Sequence, residues 1–194
     1  MKFTAVILAV ILAGATALAQ QTVPPPPQPA ADKSAGPSLE VTMKFIQEKL
    51  GEIGTVNYAA YFHDASDNSD WVQKMSATYS NVVANPGACT LSYHRLILNN
   101  GQTSYNDNIF VVMHDVQSIT VLPDELDWQK YLARTGETTR AVKDVPDIYV
   151  LNIKLPKGVE YPIRFYEQEM ANRVAKAMIH AVELCGAGSA PEPF

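Results

Sequence analysis

Three groups of residues in this sequence have the types and spacing to do chemistry: an acidic loop, a His-Asp step and a pair of cysteines. His63-Asp64 opens a loop that also carries Asp67 and Asp70, four side chains able to ligate a divalent cation. A calcium loop of the EF-hand kind sets acids at every second position around a central glycine. Here the acids stand three apart with no glycine among them, so the pattern reads as a solvated acidic turn without a metal. His114-Asp115, with Ser118 close behind, is a combination in which a carboxylate orients an imidazole for general-base work. A hydrolase of the elbow type presents its nucleophile in a G-x-S-x-G turn. That motif is absent, as are H-E-x-x-H, the P-loop and G-x-G-x-x-G. No catalytic residue, metal ligand or cofactor is assigned, and His63, Asp64, Asp67, Asp70, His114 and Asp115 stand only as polar-site candidates. Cys89 and Cys185 allow a single intramolecular pairing; neither sits in a C-x-x-C, and in an oxidising compartment they read as a disulfide.

The N-terminus supplies that compartment. Lys2 precedes an apolar run from Ala5 to Ala13, and Ala17-Leu18-Ala19 gives small residues at both key positions before Gln20. This is the pattern of a signal peptide over residues 1–19, and the expected location is secreted or periplasmic. No later segment is long and apolar enough to span a membrane. Val23-Pro24-Pro25-Pro26-Pro27-Gln28-Pro29 begins a Pro-rich stretch whose fixed φ and missing amide donors cannot build a core. Residues 20–37 are therefore expected to be a linker, 187–194 a tail, and 38–186 one globular domain. The chain of 194 residues carries a net charge of −5 and is 47 % hydrophobic. That excludes wholesale disorder and leaves no surplus of cations for a nucleic-acid partner.

Within the domain, Leu39, Met43, Ile46, Leu50 and Ile53 make a helical stripe behind the N-cap residue Ser38. The period then drops to two. Strands are expected from Val56 to Phe62, Trp71 to Val83 and Cys89 to Leu98, the third with a bulge near His94-Arg95 where its apolar phase shifts. Ile109–Met113, Ser118–Leu122, Ile148–Leu155 and Tyr161–Phe165 complete seven strands. The segment from Pro123 to Pro146 is polar, with a short helix around Asp127 to Arg134. Met170, Val174, Met178, Ala181 and Cys185 mark one face of a final amphipathic helix.

Seven antiparallel strands in meander order, closed by a C-terminal helix, resemble a pleckstrin-homology-like barrel over roughly residues 55–186. Phe110–Val121 looks like the central strands of bacterial PH-like and GRAM-like domains. Met170–Gly186 is similar to the ending of small uncharacterised secreted bacterial proteins with this topology. The resemblance implies an α+β fold: an antiparallel seven-stranded PH-like barrel or bent sheet, with an N-terminal helix and a capping C-terminal helix. Phosphoinositide-binding PH domains cluster cations on the first hairpin. Here that hairpin has Lys74 against Asp64, Asp67 and Asp70, so inositol phosphates are not expected. Tyr58, Tyr61, Phe62, Trp71, Tyr79 and Tyr93 crowd the first strands and serve the core or line a pocket. The leading expectation is an exported, non-enzymatic binding module with a protein or peptide partner. The alternatives are a small hydrolase or metal-dependent enzyme using His114, Asp115 and the acidic loop, and a carrier of a small apolar ligand.

Overall fold

The computed structural model describes residues 36–186. The signal-peptide pattern, the Pro-rich stretch up to residue 35 and the tail from residue 187 lie outside them. Helix α1 (Leu39–Ile53) starts where Ser38 Oγ accepts the Val41 amide and ends at Gly54, whose φ of 61° suits a residue without a Cβ. Its stripe buries Met43, Ile46 and Leu50.

Strands β1 (Thr55–Asp64), β2 (Ser69–Asn85), β3 (Thr90–Asn99) and β4 (Gln102–Val112) form a meander. Asn100 and Gly101 join β3 to β4 with positive φ at both residues, the geometry a two-residue hairpin turn requires. After a single 3-10 turn, β5 (Ser118–Pro123) leads into α2 (Asp124–Thr135), then β6 (Thr139–Val145), β7 (Tyr149–Lys154), β8 (Glu160–Phe165) and α3 (Gln168–Leu184). All strand pairs are antiparallel.

The expected α+β class with antiparallel sheets and flanking helices is present, but not as a closed seven-stranded barrel. Among the described residues eight strands divide into a five-stranded sheet of order β4-β3-β2-β1-β6 and a three-stranded sheet of order β5-β7-β8. The additional strand, β6, lies in the segment read as polar. It pairs with β1, and a register break between Tyr61 and Phe62 disturbs its alternation. Val142 and Val145 end up exposed while Asp144 is buried, so β6 has no hydrophobic rhythm to read. Its return to β1 fills that edge of the larger sheet and leaves β5, β7 and β8 as a sheet of their own.

Strand β3 also departs from expectation. Leu91, Tyr93, Arg95 and Ile97 all point inward in unbroken alternation. The irregularities fall instead between Ser80 and Val83 on β2 and at Ile97/Leu98 opposite β4. Helix α3 buries Ala171, Val174, Ala175, Met178 and Ala181, packing on α1 and across the β5-β7-β8 sheet, while α1 also covers β2 and α2 packs against β6. Cys89 and Cys185 are joined, tying the start of β3 to the end of α3.

Candidate functional site

The acidic loop spends its carboxylates on itself. Asp64 Oδ1 accepts from the Ser66 amide at 2.8 Å, from Ser66 Oγ at 2.8 Å and from Thr138 Oγ1 at 2.7 Å. Those hydrogen bonds, Thr138's first, pull its pKa down to about 2. Asp67 Oδ1 caps the Ser69 amide at 3.0 Å, and His63 Nδ1 meets Asp70 Oδ1 at 2.8 Å across the hairpin. His114 and Asp115 lie exposed in the 3-10 turn after β4, 3.4 Å apart. The strand register separates the two histidines. Asp70 stands at the N-terminal end of β2, whereas His114 follows Val112, which pairs with Thr90 and through it with Asn85 at the other end of β2. His63, Asp64 and His114 therefore share no cleft. Among the described residues no group of three or more His, Cys, Asp or Glu side chains is arranged to hold a metal ion.

What the fold does bring together is a cleft of about 400 Å³ between the two sheets, roofed by α2. Its size is in the range of small-ligand pockets. The inward phase of β3 delivers Arg95 to it, and the neighbouring phase of β4 delivers Tyr105. Arg95 is buried and held by a bidentate pair to Asp107, Nε–Oδ1 3.0 Å and Nη2–Oδ2 2.8 Å. Its guanidinium lies 4.6 Å over the Tyr105 ring and 5.9 Å from that of Tyr161, a stacked arrangement that arginine favours. Burial alone would lower its pKa, but the bond and charge of Asp107 outweigh that and raise it.

The opposite wall comes from the even-numbered residues of the small sheet, whose odd-numbered residues belong to the core. Asn152 on β7 and Pro162 and Arg164 on β8 face the cleft. Arg164 donates Nε to Asp124 Oδ1 at 3.1 Å, both side chains being almost wholly enclosed, and its backbone N–H donates to the Tyr79 hydroxyl at 2.9 Å. Asp124 is the first residue of α2, so this pair fixes the start of the roof. One turn on, Asp127 accepts from Asn152 Nδ2 at 2.7 Å; burial pushes its carboxyl up, and the Asn152 bond resists. Trp128 and Tyr131 continue the same face of α2, their rings edge to face at 6.0 Å. Tyr105 and Tyr131 remain about half exposed at the rim.

Behind Arg164 the polar groups are only partly satisfied. Asp124 Oδ2, Asp144 Oδ2 and the Tyr58 hydroxyl are buried without a hydrogen-bond partner among the described residues. Burial first, and then the charge of Asp124, push Asp144 up to about 8, which favours its neutral form beside the ion pair. Tyr58 and Tyr79 are likewise raised by burial. Within the cleft, Trp128 Nε1 and Asn99 Oδ1 also lack partners.

The candidates chosen by residue type thus stay at the surface, and the residues that converge were not singled out. The signal was present for two of them. Arg95 sits between Tyr93 and Ile97 in the inward phase of β3, and Arg164 sits between Ile163 and Phe165 in a strand buried on both faces. A charge within a buried run is rarely retained without a partner. The partners Asp107 and Asp124 come from other elements, which no spacing along the chain reveals. No family model matches the chain, and neither a curated protein nor a solved structure does so.

Proposed function

We propose that this chain is an exported, non-enzymatic binding module, and that its ligand enters the cleft between the two sheets. The observation that carries the reading is the convergence of two buried arginines and an aromatic rim on one small-ligand-sized space. Each arginine is fixed by a carboxylate behind it, so the donors are held in place before any ligand arrives, which lowers the ordering cost of binding. The β1–β4 meander and the terminal helix support placing the domain beside PH-like modules, from which the pairing of β6 with β1 and the separate β5-β7-β8 sheet depart. Export is supported by the residue 1–19 pattern and by the Cys89–Cys185 bridge.

The test is a thermal-shift screen of the exported chain against small polar compounds and short peptides, run in parallel on the Tyr105→Ala/Tyr131→Ala variant. Both residues are half exposed, so the variant is expected to fold. Compounds that raise the Tm of the parent and not of the variant support the cleft. Compounds that stabilise both equally, or substrate turnover that requires His114, overturn the reading.

A further inference from the structure

The charge pattern of the cleft narrows its ligand, on the premise that the cleft is the binding site. Arg95, Arg134 and Arg164 line it, so a cationic group entering would meet three guanidiniums. An anionic group fares no better. Asp127 and Glu160 line the same walls, and Asp124 and Asp144 lie in the field of Arg164 from behind. Burial first, and then the charge of Asp124, raise the Asp144 carboxyl there, so the site disfavours a further negative charge. Arg95 is matched by Asp107, Arg164 by Asp124 and Arg134 by Glu160, and Asp127 adds a further carboxyl bonded to Asn152, so no cation is left over for an anionic ligand to neutralise.

What the walls offer instead is a dense set of fixed donors and acceptors. A guanidinium has five N–H groups. Arg95 gives Asp107 its Nε and one Nη group, and Arg164 gives Asp124 its Nε, so both retain donors to offer. Asp127 and Glu160 accept, while Asn99, Asn152 and Ser104 can do either. A hydroxyl group, donor and acceptor at once, is the group that fits such a mixture wherever it lands. The rim adds flat apolar surface on two sides, Tyr105 from β4 facing Trp128 and Tyr131 from α2. Aromatic faces of this kind offer a flat platform for the C–H face of a ring.

We propose that the cleft binds an uncharged polyhydroxylated ring, a neutral pyranose, its hydroxyls held by Arg95, Arg164, Asn152 and Asp127 and its C–H face stacked on the rim, against Tyr131 and the face of Tyr105 that Arg95 leaves free. The volume of about 400 Å³ suits a saccharide unit of one or two rings. Such a unit is either a free sugar or the end of a neutral polymer, and both present the same chemistry.

Protein-observed NMR of the full exported chain tests this through its two tryptophan indoles. Trp128 lines the cleft, whereas Trp71 lies outside it, one ring away through Phe62, which stacks on Trp71 at 4.1 Å and meets Trp128 edge to face at 5.5 Å, so Trp71 serves as the reference for a smaller, transmitted shift. Probes are glucose, maltose and cellobiose as free sugars, soluble neutral oligosaccharides of four to six units as polymer ends (about 4–6 rings, several times the cleft's span), glucuronate and inorganic phosphate as anions, and a neutral tetrapeptide. The expected result is a saturable shift of the Trp128 indole with a neutral saccharide, larger than any shift at Trp71, and affinity about tenfold weaker in Tyr105→Ala. Preference for mono- and disaccharides identifies a free sugar, and preference for the longer oligosaccharides a polymer end. Tighter binding of glucuronate, phosphate or the tetrapeptide at the Trp128 indole overturns the ligand class while leaving the cleft a binding site. Silence of Trp128 towards every probe overturns the ligand class, and the Tyr105→Ala/Tyr131→Ala thermal-shift comparison separately decides whether the cleft reading falls with it.

Discussion

At the scale of single residues, the group with the largest consequence for pH is Asp144. Enclosed on β6, it faces Asp124 and Glu125 from α2, Asp147 from the loop before β7, and Arg164 from β8. Burial and the Asp124 charge raise its folded pKa to about 8, against about 3.9 in an unfolded chain. Between those values the folded state keeps a proton that the unfolded state has lost, so stability falls as pH rises through the window and levels off above about 8. The full shift corresponds to at most about 6 kcal/mol. Urea denaturation at pH 5 and pH 8.5 is expected to show the wild type weaker at the higher value, with Asp144→Asn flattening the difference; an unchanged pH profile in that variant would remove Asp144 as its source. Asp124→Ala acts at both values, because it leaves Arg164 enclosed without its carboxylate, and should cost about 3–5 kcal/mol. A loss below about 1 kcal/mol in the same denaturation measurement would show that the pair is solvated rather than buried.

Among the elements, α3 offers the sharpest contrast between faces. Met178 is enclosed between α1 and the small sheet, while its neighbour Ile179 is 43 % exposed. Met178→Ala should cost about 2–5 kcal/mol and Ile179→Ala within about 0.5 kcal/mol, read from denaturation midpoints; equal losses would mean that the helix packs in another rotation. The same contrast explains what the chain made legible. Both terminal helices, the Ser38 cap and the odd-phase core of β7 and β8 could be read because one face is apolar and the other polar. Strand β6 could not, since its valines point outward and its one enclosed side chain away from the hairpin end is Asp144. The phase of β3 is hidden for a related reason: Arg95 holds an inward position, so Leu96 and Leu98 suggest a shift that the backbone does not make. Both cases fall where polar side chains occupy the interior, and those side chains belong to the cleft or back it. Hydrophobic rhythm locates a core; it is silent about a polar site built inside one.

Across the whole domain, the helical layer and the cleft lie on opposite faces of the β5-β7-β8 sheet: α3 covers the odd-numbered side chains and the cleft the even-numbered ones. The Cys89–Cys185 bridge works on the helical side, joining β3 of the larger sheet to the end of α3 and closing a loop across 96 positions of sequence. A loop of that length restricts the unfolded chain by about 4–5 kcal/mol in the chain-entropy model. The Cys89→Ser/Cys185→Ser variant is therefore expected to unfold at markedly lower urea, with the loss reproduced by reductant in the wild type and absent when reductant is added to the variant. Because the bridge makes no part of the cleft walls, the folded fraction of that variant should keep the Trp128 indole resonance of the parent under native conditions. Loss of that resonance in a still-folded variant would mean that the bridge sets the separation of the two sheets. The helical layer would then be part of the binding apparatus rather than its foundation.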